Sequence, residues 1–237
     1  MEARNSLDKK RRRAPSIAEA RVYRALKKAI TAGQFAPGSV LVQEELCREF
    51  GASRTPIRDA LTHLQAEGLI IALPNKGVFV RELSPKDVQD IYDTRLVLES
   101  AAVKEAAGRV RPEELKTLLE KMTQLQKQRD FTFESVRSVG GAFHRLIVVS
   151  SGNRMMKDIL DRMEALIEVS RIPFKESVER LEQIHQEHIN MVQALMRRDG
   201  EMAADLMKTH VSLTREAHLK ILMGGPREVE TGTRGRR

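Results

Sequence analysis

Three histidines of this 237-residue chain fall on or beside apolar helical stripes, where their imidazole nitrogens could bind a metal ion; they are His144, His188 and His210. His188 continues a stripe that starts at Leu181, and His210 lies between Leu206 and Leu213. Residues three or four apart share one helix face, so these side chains should point into a helical core. Histidines from three helices of a bundle can hold one ion. Alternatively, each is a hydrogen-bonded core histidine, and the sequence leaves both interpretations open.

A second set of residues lies at the start of an amphipathic helix, and its members are Arg54, Thr55 and Arg58. Ser53 is a suitable N-cap, and Pro56 is tolerated in a first helical turn. Apolar residues then recur at helical spacing on the other face: Ile57, Ala60, Leu61 and Leu64. Two arginines one turn apart near a helix N-terminus are typical of a helix that reads the DNA major groove. A surface helix with solvated arginines is the alternative, and the flanking elements must decide.

The distribution of charge favours a polyanionic partner for the N-terminal third. The chain has a net charge of +8, and residues 1–82 carry 15 Lys and Arg against 9 Asp and Glu. Residues 83–226 carry 22 of each. Phosphate neutralisation dominates nucleic-acid affinity, so this asymmetry fits a DNA-binding N-terminal domain. The single cysteine excludes an internal disulfide, and neither a signal peptide nor a membrane-spanning apolar run is evident, so we expect a cytoplasmic protein.

The elements around the arginine helix predict a winged helix-turn-helix over residues 15–82. Residues 1–14 are too charged to pack and should form a disordered basic arm. A first helix should end at Gly33, and a short second helix over about 43–50 should be closed by Gly51. After the arginine helix, two β-rich runs flank the turn PNKG, which predicts a hairpin, or wing, with Lys76 at its tip.

Residues 23–82 resemble the winged-helix domain of the GntR family of bacterial transcription regulators. The resemblance rests on AGQFAPGSVL, SRTPIRDALTHLQAEGLI and PNKGVFV in the expected order. It implies that the DNA contacts come from the following residues: Ser53, Arg54, Thr55, Arg58, Lys76 and Gly77. One departure is Glu44, which stands where some relatives carry an arginine that would contact phosphate.

The remainder of the chain is predicted to be an all-α bundle of about six helices, over residues 84–222. Helices are expected at about 84–107, 112–129, 133–150, 153–171, 175–198 and 200–222, separated by Pro, Gly and Asn punctuation. The final stretch, 223–237, has no apolar pattern and should be disordered. The fold class is therefore mainly α, with a winged domain followed by a helical bundle.

The runs IYDTRLVLESAA, FHRLIVVSSGN, EHINMVQALMRRD and KTHV make this second domain similar to the effector-binding domain of the FadR subfamily of GntR regulators. By that resemblance, His144, His188 and His210 match the histidine ligands of its metal-containing branch, whose metal could be Zn, Ni or Mn. The branch also uses an Asp four residues before the first histidine, but Gly140 stands there. Losing an anionic ligand weakens metal binding or leaves a position for water or an effector carboxylate.

The function expected from these features is a ligand-responsive DNA-binding regulator rather than an enzyme. A homodimer would place two arginine helices on a near-palindromic operator. A small carboxylate effector would release a repressor, with Arg95 and Arg137 as candidate cations for it. Arg137 could instead be an ordinary surface charge, and His185 and His218 receive no role. Two alternatives stay open: a metal-free pocket for a larger organic or acyl ligand, and, more remotely, a metallohydrolase.

Overall fold

The structure is a computed structural model that describes residues 17–128, 131–171 and 177–224. The predicted basic arm at 1–14 lies outside the described residues, as does the predicted tail from residue 225 onward. The described chain forms two compact units: residues 17–82 group with 168–171 as the N-terminal unit, and residues 83–167 group with the remaining described residues as the C-terminal unit. The predicted fold class is confirmed, because a winged helix-turn-helix is followed by a bundle of helices.

The N-terminal unit contains three helices and a hairpin: α1 (Ile17–Thr31), α2 (Gln43–Glu49), α3 (Arg54–Ala66), β1 (Ile70–Leu73) and β2 (Gly77–Val80). Strands β1 and β2 pair antiparallel, with Ile70 opposite Val80, and an isolated bridge joins Val40 to Phe79. Leu26, Leu64 and Val80 are fully buried in its core. Gly51 adopts a left-handed φ of 56° between α2 and α3, which a side chain would strain, so the helix-turn-helix turn favours glycine there.

The C-terminal unit contains, within its described residues, six helices, of which α7 has its last four residues in the other unit: α4 (Pro85–Ala106), α5 (Pro112–Gln128), α6 (Phe133–Ser151), α7 (Arg154–Arg171), α8 (Val178–Met196) and α9 (Gly200–Gly224). Local sequence sets their ends. Ser84 and Asp87 form a capping box at the start of α4, Thr132 and Ser135 form one at the start of α6, and Gly152 closes α6 in a left-handed conformation.

Helix α6 packs against α4 and α8, and α9 packs against α4 and α8, so these four helices surround one apolar core. Tyr92, Phe143, Ile147 and Met191 lie fully buried inside it. None of the helices in the described part of the chain combines the length and the apolar character needed to span a membrane.

Two expectations about the last helix are wrong in detail. Helix α9 ends at Gly224, two residues into the predicted tail. Leu213, which the sequence placed on the inner stripe, is 41% exposed. The inward face of α9 instead runs through Ala203, Met207, His210 and Thr214, and Leu213 lies off that face by one position.

Candidate DNA-binding surface and metal centre

Helix α3 divides its residues between a buried apolar face and a basic exposed face. Ile57, Ala60, Leu61 and Leu64 are buried. The side chains of Arg54 and Arg58 are 77% and 68% exposed, and Thr55 is exposed beside them. Ser53 occupies the N-cap position with an extended backbone, but its hydroxyl makes no capping hydrogen bond. The first turn of α3 therefore presents several donors outward, where phosphates and base edges can accept hydrogen bonds.

The hairpin turn presents the two predicted wing residues on the surface. Lys76 and Gly77 are both exposed at the turn, where the Lys76 amide donates to the Leu73 carbonyl at 3.1 Å. Gly77 has φ 110° and Asn75 has φ 60°, values that suit glycine and asparagine. Lys76 is therefore an exposed residue of a tight turn, where its side chain is accessible to a DNA backbone.

Glu44 forms an ion pair with Arg54 that the sequence did not predict. The Glu44 Oε1 atom accepts from the Arg54 Nη2 atom at 2.8 Å. Glu44 lies in the first turn of α2 and Arg54 is the first residue of α3, so the contact crosses the helix-turn-helix turn. The sequence showed only that a carboxylate replaces a basic side chain at position 44, and the partner of that carboxylate depends on how the turn folds.

The three predicted histidines converge inside the C-terminal unit. His144 projects from α6, His188 from α8 and His210 from α9. One ring nitrogen of each lies within 4.8 Å of those of the other two, and the Nε2 atoms of His144 and His188 are 3.1 Å apart. Two nitrogens bound to one zinc ion at about 2.0–2.1 Å can be at most about 4.2 Å apart. The His144–His188 spacing is compatible with shared coordination.

A carboxylate contacts the Nδ1 atom of two of these rings. The Glu99 Oε2 atom lies 2.8 Å from Nδ1 of His144, and the Glu187 Oε2 atom lies 2.6 Å from Nδ1 of His210. Each carboxylate is paired with an arginine: Arg95 donates to Glu99 at 2.6 Å, and Arg180 donates to Glu187 at 2.8 Å. The Glu187 contact is a hydrogen bond, which fixes the tautomer of His210 and leaves Nε2 available, as around metal-ligating histidines. Glu99 lies close to His144 without hydrogen-bond geometry.

The electrostatic environment keeps two of the three imidazoles neutral. Burial lowers the pKa of His188 well below its ordinary value, and the neighbouring His210 and His144 lower this pKa further. Burial also lowers the pKa of His210, although its contact with Glu187 opposes that shift. Burial alone would raise the pKa of Glu99, but Arg95 and His144 outweigh burial and lower it. Neutral imidazoles beside ionised carboxylates are the forms that bind a metal ion.

Gly140 makes room for His188. The residue is buried on α6, and a β-carbon added there would lie 2.6 Å from Cε1 and 3.1 Å from Nδ1 of His188. The imidazole ring thus fills the space that a side chain at position 140 would need. An aspartate at this position could not coexist with the present placement of His188, so the donor set here consists of three imidazoles.

The two candidate effector arginines lie in different environments. Arg95 is 7% exposed and is bound to Glu99, with Glu164 3.9 Å away. Arg137 lies near Glu134 at 3.7 Å on the more exposed side of α6. A cavity of about 190 Å³ reaches His144 and Glu99 from the surface between α6 and α7. Its lining includes Arg145 and excludes Arg95 and Arg137, so neither predicted arginine faces this cavity.

Glu99 and Glu187 were not predicted from the sequence, although weak signals point to each of them. Glu99 follows Arg95 by four residues on α4, and Glu187 directly precedes His188. His185 and His218, which have no predicted role, contact other residues of the core. The Nε2 atom of His185 lies 2.9 Å from the Met122 carbonyl oxygen, and the ring of His218 packs edge-on against Tyr92.

Two family models match this chain, each over a different part of it. Residues 18–80 match the family model "Bacterial regulatory proteins, gntR family", and residues 90–213 match the model "FCD domain". An uncharacterised HTH-type transcriptional regulator of Bacillus subtilis, YdhC, is 32% identical over 200 residues, which cover 84% of this chain and 89% of the relative. The gluconate operon transcriptional repressor of Bacillus licheniformis is 34% identical over 194 residues, with 77% of each chain covered.

Solved structures share the fold. The Escherichia coli protein McbR/YncC superposes with a TM-score of 0.73 at 22% identity, covering 86% of this chain and 97% of that chain. A GntR-type putative regulator from Rhodococcus sp. RHA1 gives a TM-score of 0.70 at 23% identity, covering 85% of this chain and 97% of that chain.

Proposed function

Because the chain belongs to the GntR family of bacterial regulatory proteins and carries an FCD domain after its winged helix, we propose that this DNA-binding transcription regulator is a repressor that a small carboxylate effector releases from its operator. It is a regulator rather than an enzyme, as are its relatives, which disfavours the metallohydrolase alternative. We place it in the cytoplasm as a homodimer on a near-palindromic operator, because paired half-sites match the two-fold symmetry of a dimer.

The exposed first turn of α3 is the main support for DNA binding. Arg54, Thr55 and Arg58 would read base edges and phosphates in the major groove, with Ser53 at the N-cap. Lys76 and Gly77 would contact the backbone or minor groove from the wing. The excess of positive charge in residues 1–82 supports the same assignment.

Operator binding at fixed salt tests these contacts. Arg58→Ala should cost about 1 to 3 kcal/mol at the preferred site if the side chain reads a base. Arg111→Ala removes an exposed arginine from the C-terminal unit, where it pairs with Glu114 at 2.8 Å, and serves as the control for net charge. If both variants bind the operator like the wild type, the recognition-helix assignment is wrong.

Effector binding is proposed because three imidazoles converge and a carboxylate lies close to the Nδ1 atom of two of them. His144, His188 and His210 would hold a divalent ion such as Zn, Ni or Mn through ring nitrogens. When bound, the ion would offer an open coordination position, and with Gly140 in place of an anionic ligand that position suits an effector carboxylate. Glu99 and Glu187 keep the rings oriented, and Arg95 and Arg180 hold those carboxylates.

Elemental analysis of the purified protein tests the metal site directly. The triple variant His144→Ala, His188→Ala, His210→Ala should lose the metal, whereas His63→Ala, on α3 in the other unit, should keep it. Equal metal content in wild type and triple variant would remove the site from the proposal.

The cavity beside His144 is the proposed entry for the effector. It lies between α6 and α7 and is lined by apolar Val148 and Leu160 together with Arg145. Within the described part of the chain, Arg145 has no carboxylate at ion-pairing distance, whereas Lys157 is paired with Asp161 at 2.5 Å. We therefore add Arg145 to the candidate cations for an effector carboxylate. Arg95 would act there through Glu99, and Arg137 would contribute only if the effector extends beyond this cavity.

A metal-free pocket for a larger organic or acyl ligand is the second candidate, favoured by the missing anionic ligand at position 140. Thermal shifts with a panel of carboxylates, measured with and without a chelator, separate the two. Stabilisation by short carboxylates that disappears with chelator supports the metal-assisted site. Stabilisation by longer chains that is insensitive to chelator supports the second candidate.

Release of DNA would follow from different effector affinities in two dimer geometries. Such coupling is typically about 1 to 3 kcal/mol, a change of about 5- to 150-fold in operator affinity. An effector bound equally well by both geometries would change nothing.

A further inference from the structure

The exposed ion pair between Glu44 and Arg54 lies on the surface proposed to meet DNA. The two side chains are 70% and 77% exposed and approach to 2.8 Å from the first turns of α2 and α3. Exposed pairs of long side chains contribute little to stability. Any effect of a carboxylate beside the leading arginine should therefore appear in DNA binding rather than in folding stability.

The charges around α3 make Arg54 different from Arg58. The acidic neighbour of Arg58 is Asp59, next to it in sequence and 3.9 Å away. Arg54 instead meets a carboxylate supplied by another helix, at hydrogen-bond distance. A guanidinium has five N–H donors in a rigid fork. With Nη2 engaged by Glu44, the remaining donors of Arg54 are still available to a partner.

We propose that Glu44 is a specificity-determining residue: its carboxylate holds the Arg54 guanidinium toward a base edge, and its negative charge disfavours a phosphate at the same place. A guanine offers O6 and N7 as neutral acceptors for an arginine fork, and a carboxylate beside them costs little. A phosphate would be repelled by Glu44 and would have to displace it from Arg54. Glu44 thus shifts binding from non-specific to sequence-specific contacts, provided that α3 is the recognition helix.

Selection from a randomised DNA duplex library, followed by titration at several salt concentrations, tests this role. Glu44→Gln removes the charge while keeping the length of the side chain. Glu45→Gln makes the same change one residue along α2 and is the matched control, because Glu45 is exposed in the same first turn. Arg54→Ala and the double variant Glu44→Gln, Arg54→Ala complete a cycle that isolates the coupling between the two residues.

In Glu44→Gln, we expect tighter binding to random-sequence duplex and a salt dependence steeper by up to about 0.9 in log–log slope, as for one gained phosphate contact. Preference at one base position of each half-site should fall by roughly 10-fold, within the range that a bidentate arginine–guanine contact supplies. Glu45→Gln should leave that preference unchanged. In the Arg54→Ala background, Glu44→Gln should lose its effect on the preference.

Two different failures can be told apart. If the wild type selects a motif and Glu44→Gln selects the same motif with equal discrimination, the role of Glu44 is refuted while the regulator assignment stands. The role is likewise refuted if Glu45→Gln has the same effect as Glu44→Gln, or if the effect persists without Arg54. If the wild type selects no motif, the recognition-helix assignment falls, and the role of Glu44 falls with it.

Discussion

Gly140 and Gly141 are neighbours on α6, yet adding one methyl group should have opposite consequences at the two positions. At Gly140 the new carbon would lie 2.6 Å from Cε1 of His188, a buried ring packed against Phe143 and His144. At Gly141 the nearest atom would be Nη1 of Arg145 at 3.2 Å, the end of a flexible and exposed side chain. The ring must be displaced in the first case, and the guanidinium can simply move in the second.

The expected magnitudes follow from two opposing contributions. Replacing glycine by alanine inside a helix stabilises by up to about 1 kcal/mol. Overpacking a well-filled core costs about 1 to 3 kcal/mol. Gly141→Ala should therefore raise the free energy of unfolding by about 0.5 to 1 kcal/mol, whereas Gly140→Ala should lower it by about 0 to 2 kcal/mol.

Thermal unfolding of both variants in the presence of a chelator measures this difference without any contribution from metal. For a chain of this size, 1 kcal/mol corresponds to about 2–4 °C in Tm. A competition titration with Zn²⁺ then reports on His188, because moving its ring away from His144 should weaken metal binding in Gly140→Ala but not in Gly141→Ala.

Equal behaviour of the two variants would contradict this prediction. If Gly140→Ala is as stable as Gly141→Ala and binds Zn²⁺ like the wild type, then His188 does not need the space above Gly140. The account of the three-imidazole site would then be wrong.

Three further predictions concern the same two units. Glu187→Gln removes the carboxylate from Nδ1 of His210 and should weaken Zn²⁺ binding by about 10- to 100-fold in competition titrations; unchanged affinity would contradict the orienting role. Leu64→Ala empties a fully buried position of the N-terminal unit and should lower its free energy of unfolding by about 2 to 5 kcal/mol in denaturant titrations. In chelator-treated protein, Tm should fall as the pH drops below about 6.5, the pKa of histidine in the unfolded chain. Folding lowers the pKa of His188 and His210, so the unfolded chain binds protons first and is favoured at low pH. A Tm that stays constant from pH 7.5 to 5 would contradict this.

Most of the fold could be predicted because its signals are local. The stripe of α3, the glycine after α2 and the prolines at the starts of α4 and α5 are read from residues within one or two helical turns. The hairpin likewise follows from a turn of four residues between two β-rich runs. Helix ends differ from the predicted positions by a few residues, as at Gly224, because fraying and packing decide the last turn.

The partners within the sites could not be predicted, because they join distant parts of the chain. Periodicity placed His144 and His188 on inward faces, but the contact of Glu99 with His144 spans 45 residues. The prediction that Leu213 is buried was wrong because neighbouring residues of a helix point in different directions, so a shift of one position moves a side chain from the core face to the surface. The fit of His188 against Gly140 depends on how α6 and α8 cross, which neither helix encodes alone.

The exclusion between a side chain at position 140 and the ring of His188 also constrains how such a site can evolve. A substitution that brought an aspartate to position 140 would meet His188 before it could act as a ligand. Its benefit would depend on a prior or simultaneous change that moves the ring, so the two changes are expected to show sign epistasis. Sites with three imidazoles and sites with an added aspartate would then be separate adaptive solutions. Any single substitution that starts from one of them toward the other would weaken metal binding.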